Sequence, residues 1–481
     1  MRYLTKATVG IIAASCFGMQ LFGYDGGVMS GILTNTLFLE TFNYPNDTMQ
    51  GQITGLFDLG CFFGAVLVFI LGDRLGRKTI IVIGSAIHTI GGAIQCSSFT
   101  VAQIIVGRIV AGFGNGFITV AIPVWVSETV NAKIRGSVMS FLLAFNLFGI
   151  VIVTFLNYGM RYIKTHFSWR FPLGFQMFFA LGTLFLTPFF PESPRWLISK
   201  GHNEKAKQNI SQLLGEPVDS SEVEAMYTDV IVHVEEEQRA AKERGFWDLF
   251  KRDKLHNLRR VILGAMSQFM QQFGGINCVL YFLPVLFQNS LGLDENLSLI
   301  LTAVNSCNLT ICLVLATFFV VERVGRRKLM IGGAAGQGTC FLMVAVGLAV
   351  DNKAGSIVSI LGMFLFYSIF GFSWCFMSWL YPPEINSQQY RNMGAGIATA
   401  TNWICNYVVV MVTPVGVANI QWRYYIIFCV LNYSFLPILY FFFEETKGLS
   451  LEEVDELFLR KNGDALPVHE DPEKFETKHI Q

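Results

Sequence analysis

The sequence predicts an all-α membrane protein with twelve transmembrane helices arranged in two pseudo-symmetric halves of six. Of its 481 residues, 52% are hydrophobic and only 15% are charged, whereas an average soluble domain carries about 25% charged residues. Apolar runs of about 20 residues, the length that crosses a bilayer, recur along the chain. Two polar motifs also recur, in the same order, in the two halves of the sequence. Together these observations predict a pseudo-symmetric membrane bundle.

The apolar runs place the spans in order along the chain. We predict them at about 8–31, 50–71, 79–98, 101–122, 137–158, 171–190, 261–286, 297–321, 329–350, 356–380, 393–415 and 423–443. The organisation is then an N-terminal half (1–190), a cytoplasmic helical segment (191–260), a C-terminal half (261–443) and a cytoplasmic tail (444–481). The polar end of that tail, 464–481, is expected to be disordered.

Charge and reactive side chains exclude several classes of function. Lys and Arg together number 35, as do Asp and Glu, so net charge gives no reason to expect nucleic acid as a partner. The ten cysteines lie in apolar runs without metal-ligand spacing, and we expect neither a metal nor a cofactor. His88, the one histidine placed in a span, has no acidic or cysteine neighbour at ligand spacing in the sequence. A membrane enzyme therefore lacks the chemistry it would need.

Basic residues in the short loops predict the orientation. The loops on one side of the membrane hold few basic residues, chiefly Arg161, Lys164 and Lys353. The loops on the opposite side, after the second, fourth, eighth and tenth spans, hold most of them: Arg74, Arg77, Lys78, Lys133, Arg135, Arg323, Arg326, Arg327, Lys328 and Arg391. It is the latter loops that decide the orientation. By the positive-inside rule these loops are cytoplasmic. Both termini and the segment 191–260 are then cytoplasmic too, and we expect the protein in the plasma membrane.

An internal repeat relates the two halves. The motif of residues 72–78 after span 2 returns as 322–328 after span 8, and 128–135 after span 4 is echoed by 384–391 after span 10. Two halves in the same orientation around a site at the membrane midplane form an architecture in which one half rocks against the other. This symmetry favours transport over catalysis.

The seventh span contains amides where lipid would favour apolar residues. Gln268, Gln271 and Gln272 share one helix face by their spacing. Asn277 lies off that face unless the helix unwinds at Gly274-Gly275, as helices do at transporter midplane sites. Unpartnered amides in hydrocarbon are costly, so these side chains either bind a polar ligand or hydrogen-bond between helices.

The loop motifs resemble those of the major facilitator superfamily, and within it the sugar porter family. The resemblance spans residues 23–448 and is carried by segments 72–78, 107–108, 128–136, 191–197, 271–277, 322–327 and 444–448. More specific motifs at residues 122–125, 268–273, 379–385 and 401–406 are similar to those of the fungal branch that contains yeast glycerol–proton symporters. That branch neighbours sugar, lactose and quinate carriers, so the resemblance leaves the substrate open.

The resemblance implies a solute site on Gln271, Gln272, Asn277, Trp379 and Asn402. Amides both donate and accept hydrogen bonds, as hydroxyl groups require, and an indole offers an apolar face with one donor. Trp379 alone could equally be a packing or interfacial residue, and Asn402 an interhelical contact. Hexose carriers of the family usually have Gln at the position of Leu143, with Asn146 three residues further here. This departure favours a smaller or differently shaped polyol.

Two charged residues in spans suggest proton coupling. Asp25 in span 1 and Arg108 in span 4 each need a partner in the membrane, where an isolated charge costs about 3 kcal/mol. The resemblance implies coupling, since proton-coupled members keep Asp at the position of Asp25. Movement of Arg108 away from Asp25 would let the carboxyl take up a proton. The alternative is a static ion pair.

Charged loop residues on the cytoplasmic side are predicted to gate the pathway by forming ion pairs in one conformation: Asp73, Arg74, Arg77, Glu128, Arg135, Glu192, Arg195, Glu322, Arg326, Arg327, Glu384 and Arg391. We therefore expect a monomeric secondary transporter that imports a small sugar or polyol, such as glycerol, with a proton across the lipid bilayer. The alternatives are a hexose uniporter and a non-transporting sugar sensor. A sensor is disfavoured by a tail of only about 35 residues.

Overall fold

A computed structural model describes residues 4–243, 246–251, 253, 255–350, 352–387, 389–449 and 451–461. The N-terminal half consists of helices α1 Lys6–Ile32, α2 Thr36–Thr41, α3 Asp47–Leu75, α4 Arg77–Cys96, α5 Val101–Thr129, α6 Ala132–Met160 and α7 Phe167–Leu186. All of these except the short α2 cross the membrane as continuous helices. Polar caps begin several helices; the Asn46 side chain accepts from the Met49 amide at 2.9 Å, for example.

Three helices follow between the halves: α8 Pro194–Ser199, α9 Asn203–Leu214 and α10 Ser221–Glu243. The C-terminal half consists of α11 Asn257–Phe273, α12 Ile276–Asn289, α13 Glu295–Phe319, α14 Val321–Val324, α15 Arg326–Val350, α16 Lys353–Phe372, α17 Trp374–Ile385, α18 Arg391–Ile420 and α19 Arg423–Phe442. Helix α20, Leu451–Lys461, ends the described chain. Twelve spans result, which confirms the predicted all-α, twelve-helix fold.

Two spans of the C-terminal half are broken inside the membrane. The seventh is interrupted between α11 and α12 at Gly274-Gly275, where Gly275 has φ 95°. The tenth is interrupted between α16 and α17 at Ser373, a break that the continuous span predicted at about 356–380 missed. Room for it comes from Gly333 of α15, where an added Cβ would lie 2.3 Å from the Ser373 hydroxyl oxygen.

Helices within the N-terminal half pack closely through glycine. A Cβ added at Gly91 of α4 would lie 2.3 Å from the Ala111 backbone nitrogen of α5, and one at Gly112 would lie 2.0 Å from the Phe57 carbonyl oxygen of α3. Contact at this range requires the absence of a side chain, as is common between membrane helices. Helices α3, α4 and α5 therefore form one tightly packed unit.

The two halves meet along three pairs of helices, α1 with α12, α3 with α18 and α6 with α13. The α6–α13 contact includes a hydrogen bond between the hydroxyl groups of Thr154 and Ser306 (2.9 Å). In the α1–α12 contact, a Cβ at Gly26 would lie 3.8 Å from the Leu280 side chain. Gly26 and Thr154 lie toward the C-terminal ends of α1 and α6, away from the arginine-rich loops. We call the side of the protein that carries those loops the basic side.

Helix α20 packs against the basic side of the C-terminal half. Its Asp455 carboxylate lies 2.5 Å from Nη2 of Arg260, a residue that is 0% exposed. The Arg260 guanidinium also lies over the Phe458 ring, 4.8 Å from its centroid. The first part of the tail is thus a docked helix, whereas residues 464–481, predicted to be disordered, lie outside the described ranges.

Candidate functional site

Five amide side chains meet where the seventh span breaks. The Asn402 Nδ2 atom donates to Oε1 of Gln268 (2.7 Å) and of Gln271 (3.0 Å). Past the break, Asn277 Nδ2 donates to Oε1 of Gln272 at 2.5 Å. The left-handed turn at Gly275 thus returns Asn277 to the glutamine face, as the sequence predicted. We call Gln268, Gln271, Gln272, Asn277 and Asn402 the amide cluster.

The amides of this cluster divide into two groups. Gln268 Nε2 donates to the Ser378 carbonyl (2.9 Å) and Gln271 Nε2 to the Trp374 carbonyl (3.2 Å), both on α17. These two glutamines therefore satisfy backbone groups beside the break in the tenth span, which is the interhelical role considered above. Gln271, predicted as a solute ligand, has both side-chain polar atoms engaged with protein in this conformation.

The other three amides keep free hydrogen-bonding atoms. Within the described residues, Gln272 Nε2, Asn277 Oδ1 and Asn402 Oδ1 have no hydrogen-bond partner, although the three residues are only 5%, 6% and 2% exposed. One donor and two acceptors thus remain close together inside the C-terminal half. A hydroxyl group, which both donates and accepts, fits such a set.

Three tryptophans lie on α17 and α18, the helices that hydrogen-bond with the glutamines of α11. Trp379, the predicted ligand, is half-buried on α17 and forms no hydrogen bond with the described residues. Trp374 and Trp403 are each 1% exposed, and their indole nitrogens have no partner in the described part of the chain. Sequence reasoning missed these two, although Trp403 directly follows Asn402. A buried indole N–H without an acceptor is a donor available to a ligand.

Asp25 and Arg108 do not pair in this conformation, and their role in proton coupling stays a prediction. Arg108 donates from Nε to the Ile53 carbonyl (3.2 Å) and from Nη2 to the Thr54 carbonyl (3.0 Å), both on α3. Its guanidinium also lies over the Phe57 ring, 4.4 Å from the centroid. Backbone carbonyls of α3, not the carboxylate, therefore partner this buried cation.

Asp25 faces a histidine instead. His88 Nε2 of α4 lies 3.4 Å from Asp25 Oδ2, and both side chains are 0% exposed. The Nδ1 atom of the same ring is 3.0 Å from the Ala111 carbonyl. The sequence argument had set His88 aside because its neighbours along the chain are not acidic, but the fold brings α1 and α4 together.

A further buried carboxyl, Asp58, was missed. It lies in the middle of α3, is 0% exposed, and its Oδ1 accepts from the Tyr281 hydroxyl (3.3 Å) and from Asn406 Nδ2 (3.0 Å). Tyr281 and Asn406 belong to the other half. An aspartate near the centre of the second apolar run was the available signal, since charged residues in spans are functional candidates.

Symmetric ion pairs lie at the basic side. Arg77 binds Glu128 through two hydrogen bonds of 3.0 and 3.1 Å, and Arg326 binds Glu384 in the same way at 3.2 and 3.0 Å. Each pair joins the helix that follows a repeated loop to the end of another helix of the same half. In each half, the Arg of the first repeated motif (72–78 or 322–328) thus binds the Glu of the second repeated motif (128–135 or 384–391).

Two further glutamates cap the same helices. Glu192 accepts from the Lys78 amide (3.1 Å), and Glu445 accepts from the Arg326 and Arg327 amides (2.8 and 3.2 Å). An anion at a helix N-terminus is stabilised by these free N–H groups and the helix dipole. Burial nevertheless raises the pKa of Glu192, with the Ser193 and Lys78 amides opposing that shift. Glu445 was missed as the counterpart of Glu192.

The remaining residues predicted to gate the pathway are placed as follows. Arg327 donates from Nε to the Leu439 carbonyl (3.2 Å), and Arg135 donates to the Val130 carbonyl (3.5 Å). Arg74 is exposed, while Arg195 and Arg391 are half-buried near the ends of α8 and α18. The side chains of Asp73 and Glu322 lie outside the described part of the structure. The gating role of the set stays a prediction.

A cavity of about 510 Å³ lies elsewhere, between the basic end of α4 and helices α8 and α9. Lys78, Glu192, Trp196 and Asn209 contribute to its lining. It is separate from the amide cluster and from Asp25, so its size says nothing about the pathway through the bundle.

Comparison with known proteins identifies the family. The model of the family described as "Sugar (and other) transporter" matches residues 10–458. The chain belongs to the sugar transporter family. It is 41% identical to the MFS-type transporter oryC of Aspergillus oryzae, over 97% of this chain and 88% of that protein. It is also 36% identical to the sugar transporter STL1 of Saccharomyces cerevisiae, over 94% and 81%.

Solved structures agree with this assignment. The sugar porter fold here matches the proton:xylose symporter XylE, bound to 6-bromo-6-deoxy-D-glucose, with a TM-score of 0.78 and 26% identity over 94% of this chain and 99% of that one. The predicted major facilitator, sugar porter family and its fungal branch are thereby confirmed. This sugar porter is a multi-pass membrane transporter and not an enzyme.

Proposed function

We propose that this sugar porter imports a small polyhydroxylated solute, a sugar or a polyol such as glycerol, together with a proton by alternating access. The observation that carries the proposal is the set of free amide atoms on Gln272, Asn277 and Asn402, next to the break in the seventh span. A hydroxylated solute would supply both the donors and the acceptors that these three atoms can use. Trp379 and Gln271 would complete this site after a change in conformation.

Proton coupling is assigned to Asp25, with Arg108 as its partner in another conformation. Support comes from the burial of the carboxyl, its separation from Arg108 here and its contact with His88. If Arg108 exchanges the carbonyls of α3 for Asp25 during the cycle, the proton leaves. XylE is a proton:xylose symporter, and a similar cycle is proposed here.

The ion pairs Arg77–Glu128 and Arg326–Glu384 would then keep each half rigid at the basic side while the halves rock. We propose that this side is cytoplasmic, because of its arginine-rich loops. Both termini lie on it, the membrane is the plasma membrane, and the functional unit is a monomer.

Uptake by cells that lack their own carriers tests the proposal. Glycerol, glucose, galactose, xylose and a sugar acid are each added to unbuffered cells that express the protein. A symporter alkalinises the medium when its solute is added, whereas a uniporter takes up solute without a pH change. Uptake of none of the polyhydroxylated compounds by correctly inserted protein would contradict the proposal and favour a sensor.

A further inference from the structure

Asp58 lies between the halves at the level of the amide cluster. Its Oδ1 accepts from Tyr281 of α12 and from Asn406 of α18. Tyr281 follows Asn277 by four residues and Asn406 follows Asn402 by four, so each bond partner lies one helical turn from a candidate solute ligand and on the same face. The carboxyl therefore faces the wall of the opposite half that carries these ligands.

The hydrogen bonding of this carboxyl is incomplete. Asp58 is 0% exposed, yet its Oδ2 has no partner among the described residues. The buried cation Arg108 is bound to the carbonyls of Ile53 and Thr54, the latter one helical turn before Asp58 on α3. A buried carboxyl oxygen without a donor is unfavourable, so a hydrogen-bond donor that entered here would be bound strongly.

We propose that Asp58 is the solute ligand contributed by the N-terminal half, and that Tyr281 and Asn406 occupy its carboxyl when the site is empty. A carboxyl oxygen accepts hydrogen bonds from hydroxyl groups, and Oδ2 of Asp58 is free to accept one. The bound solute must therefore present hydroxyl groups to this side of the site. The inference rests on the proposed function and deepens it by naming the residue of the N-terminal half that hydrogen-bonds to the solute.

The charges of this wall also restrict the solute. The N-terminal half buries Asp25 beside His88 and Asp58 near Arg108, and it is the Asp58 carboxyl that contacts the opposite half. An anionic solute would be repelled by the Asp58 carboxyl whenever that carboxyl is ionised. Neutral polyols and sugars are selected, and sugar acids are rejected.

No amide of α6 takes this role in the described conformation. Asn146 Nδ2 donates to the Met19 carbonyl of α1 at 3.2 Å, and the neighbouring candidate position is Leu143. Asp58 combines full burial, contact with the opposite half and a free acceptor oxygen.

Transport by the purified full-length protein in vesicles tests the assignment, with glycerol and D-xylose as probes and gluconate as competitor. Asp58→Ala should raise the KM of the transported probe about tenfold, because a hydrogen bond to the solute is lost. Asp58→Asn should admit competition by gluconate, which the unchanged protein resists. The matched control is Ser306→Ala, which removes a different cross-half bond, to Thr154, and should change KM less than about twofold.

Tyr281→Phe gives a test that does not depend on a variant of Asp58 folding. It removes a donor that competes for the carboxyl, so KM should fall if Asp58 binds solute. An unchanged KM in Asp58→Ala, or an equal rise in Ser306→Ala, would overturn the inference and leave a structural tie between the halves. If the unchanged protein carries neither probe, the proposed function itself fails, which is a distinct result.

Discussion

His88 Nε2 lies 3.4 Å from Asp25 Oδ2 in the interior of the N-terminal half. The Nδ1 atom of His88 is 3.0 Å from the Ala111 carbonyl, which can only accept, so Nδ1 carries a hydrogen. A neutral ring then presents a bare Nε2 to the carboxyl, and two bare acceptors repel each other. The contact is favourable when one proton lies on the pair, either on Asp25 or on Nε2.

The first prediction concerns this proton. Asp25→Asn replaces the carboxyl by an amide that can still donate to His88 Nε2 but cannot release a proton. We expect the variant to lose accumulation of solute against a gradient and to keep exchange of labelled for unlabelled solute. Uptake and counterflow in vesicles with an imposed pH gradient measure both. Asp219→Asn, at an exposed residue outside the membrane, is the control. Accumulation by Asp25→Asn would refute the coupling assignment.

A second prediction separates the two groups of amides. Gln272→Leu removes a free donor, and we expect KM to rise about tenfold, as for the loss of one hydrogen bond to solute. Gln268→Leu instead leaves the Ser378 carbonyl unpaired and should lower stability by about 1–3 kcal/mol. Transport kinetics and thermal unfolding in detergent, measured on both variants, check the difference. The same effect on KM from both changes would contradict it.

The third prediction addresses the break in the seventh span. Gly275→Ala places a side chain at φ 95° and 2.6 Å from the Phe341 ring, so the variant should lose about 2 kcal/mol or more of stability and much of its transport. Gly332→Ala is the matched control, because a Cβ there meets nothing within 4 Å. Its thermal unfolding should match that of the unchanged protein. Equal stability of the two variants would show that the break is not required.

A fourth prediction uses the symmetry of the ion pairs. Double-mutant cycles of Arg77→Ala with Glu128→Ala and of Arg326→Ala with Glu384→Ala should give similar coupling energies of about 1–2 kcal/mol, since both are bidentate and mostly shielded from water. Thermal unfolding of each single and double variant supplies the energies. A coupling near zero in one half alone would mean that the pairs are not equivalent.

The number of spans and the repeat were predictable because hydrocarbon imposes a fixed length and a nearly continuous apolar run. The break at Gly274-Gly275 was also readable, since two glycines stand beside amides. The break at Ser373 was not, because it depends on space left by Gly333 in a different helix. When a break in one helix depends on a residue of another helix, the sequence around the break gives no sign of it.

The same distinction explains the partners of the charged residues. Sequence indicated that Asp25 and Arg108 each require a partner, but it could not choose among groups on other helices. Arg108 takes carbonyls of α3, which every sequence supplies, and Asp25 takes His88. Asp58 was overlooked in an otherwise apolar run, although its charge alone was the same signal that drew attention to Asp25.

The two mid-membrane breaks both belong to the C-terminal half, whereas the buried aspartates and Arg108 stand on unbroken helices of the other half. The two breaks and the buried carboxyls of Asp25 and Asp58 thus lie in different halves of the protein. Substitutions near the breaks can change the contacts with the solute without altering the surroundings of Asp25, the residue assigned to proton exchange. Related transporters with this arrangement can therefore differ in the solute they carry and retain the same proton coupling.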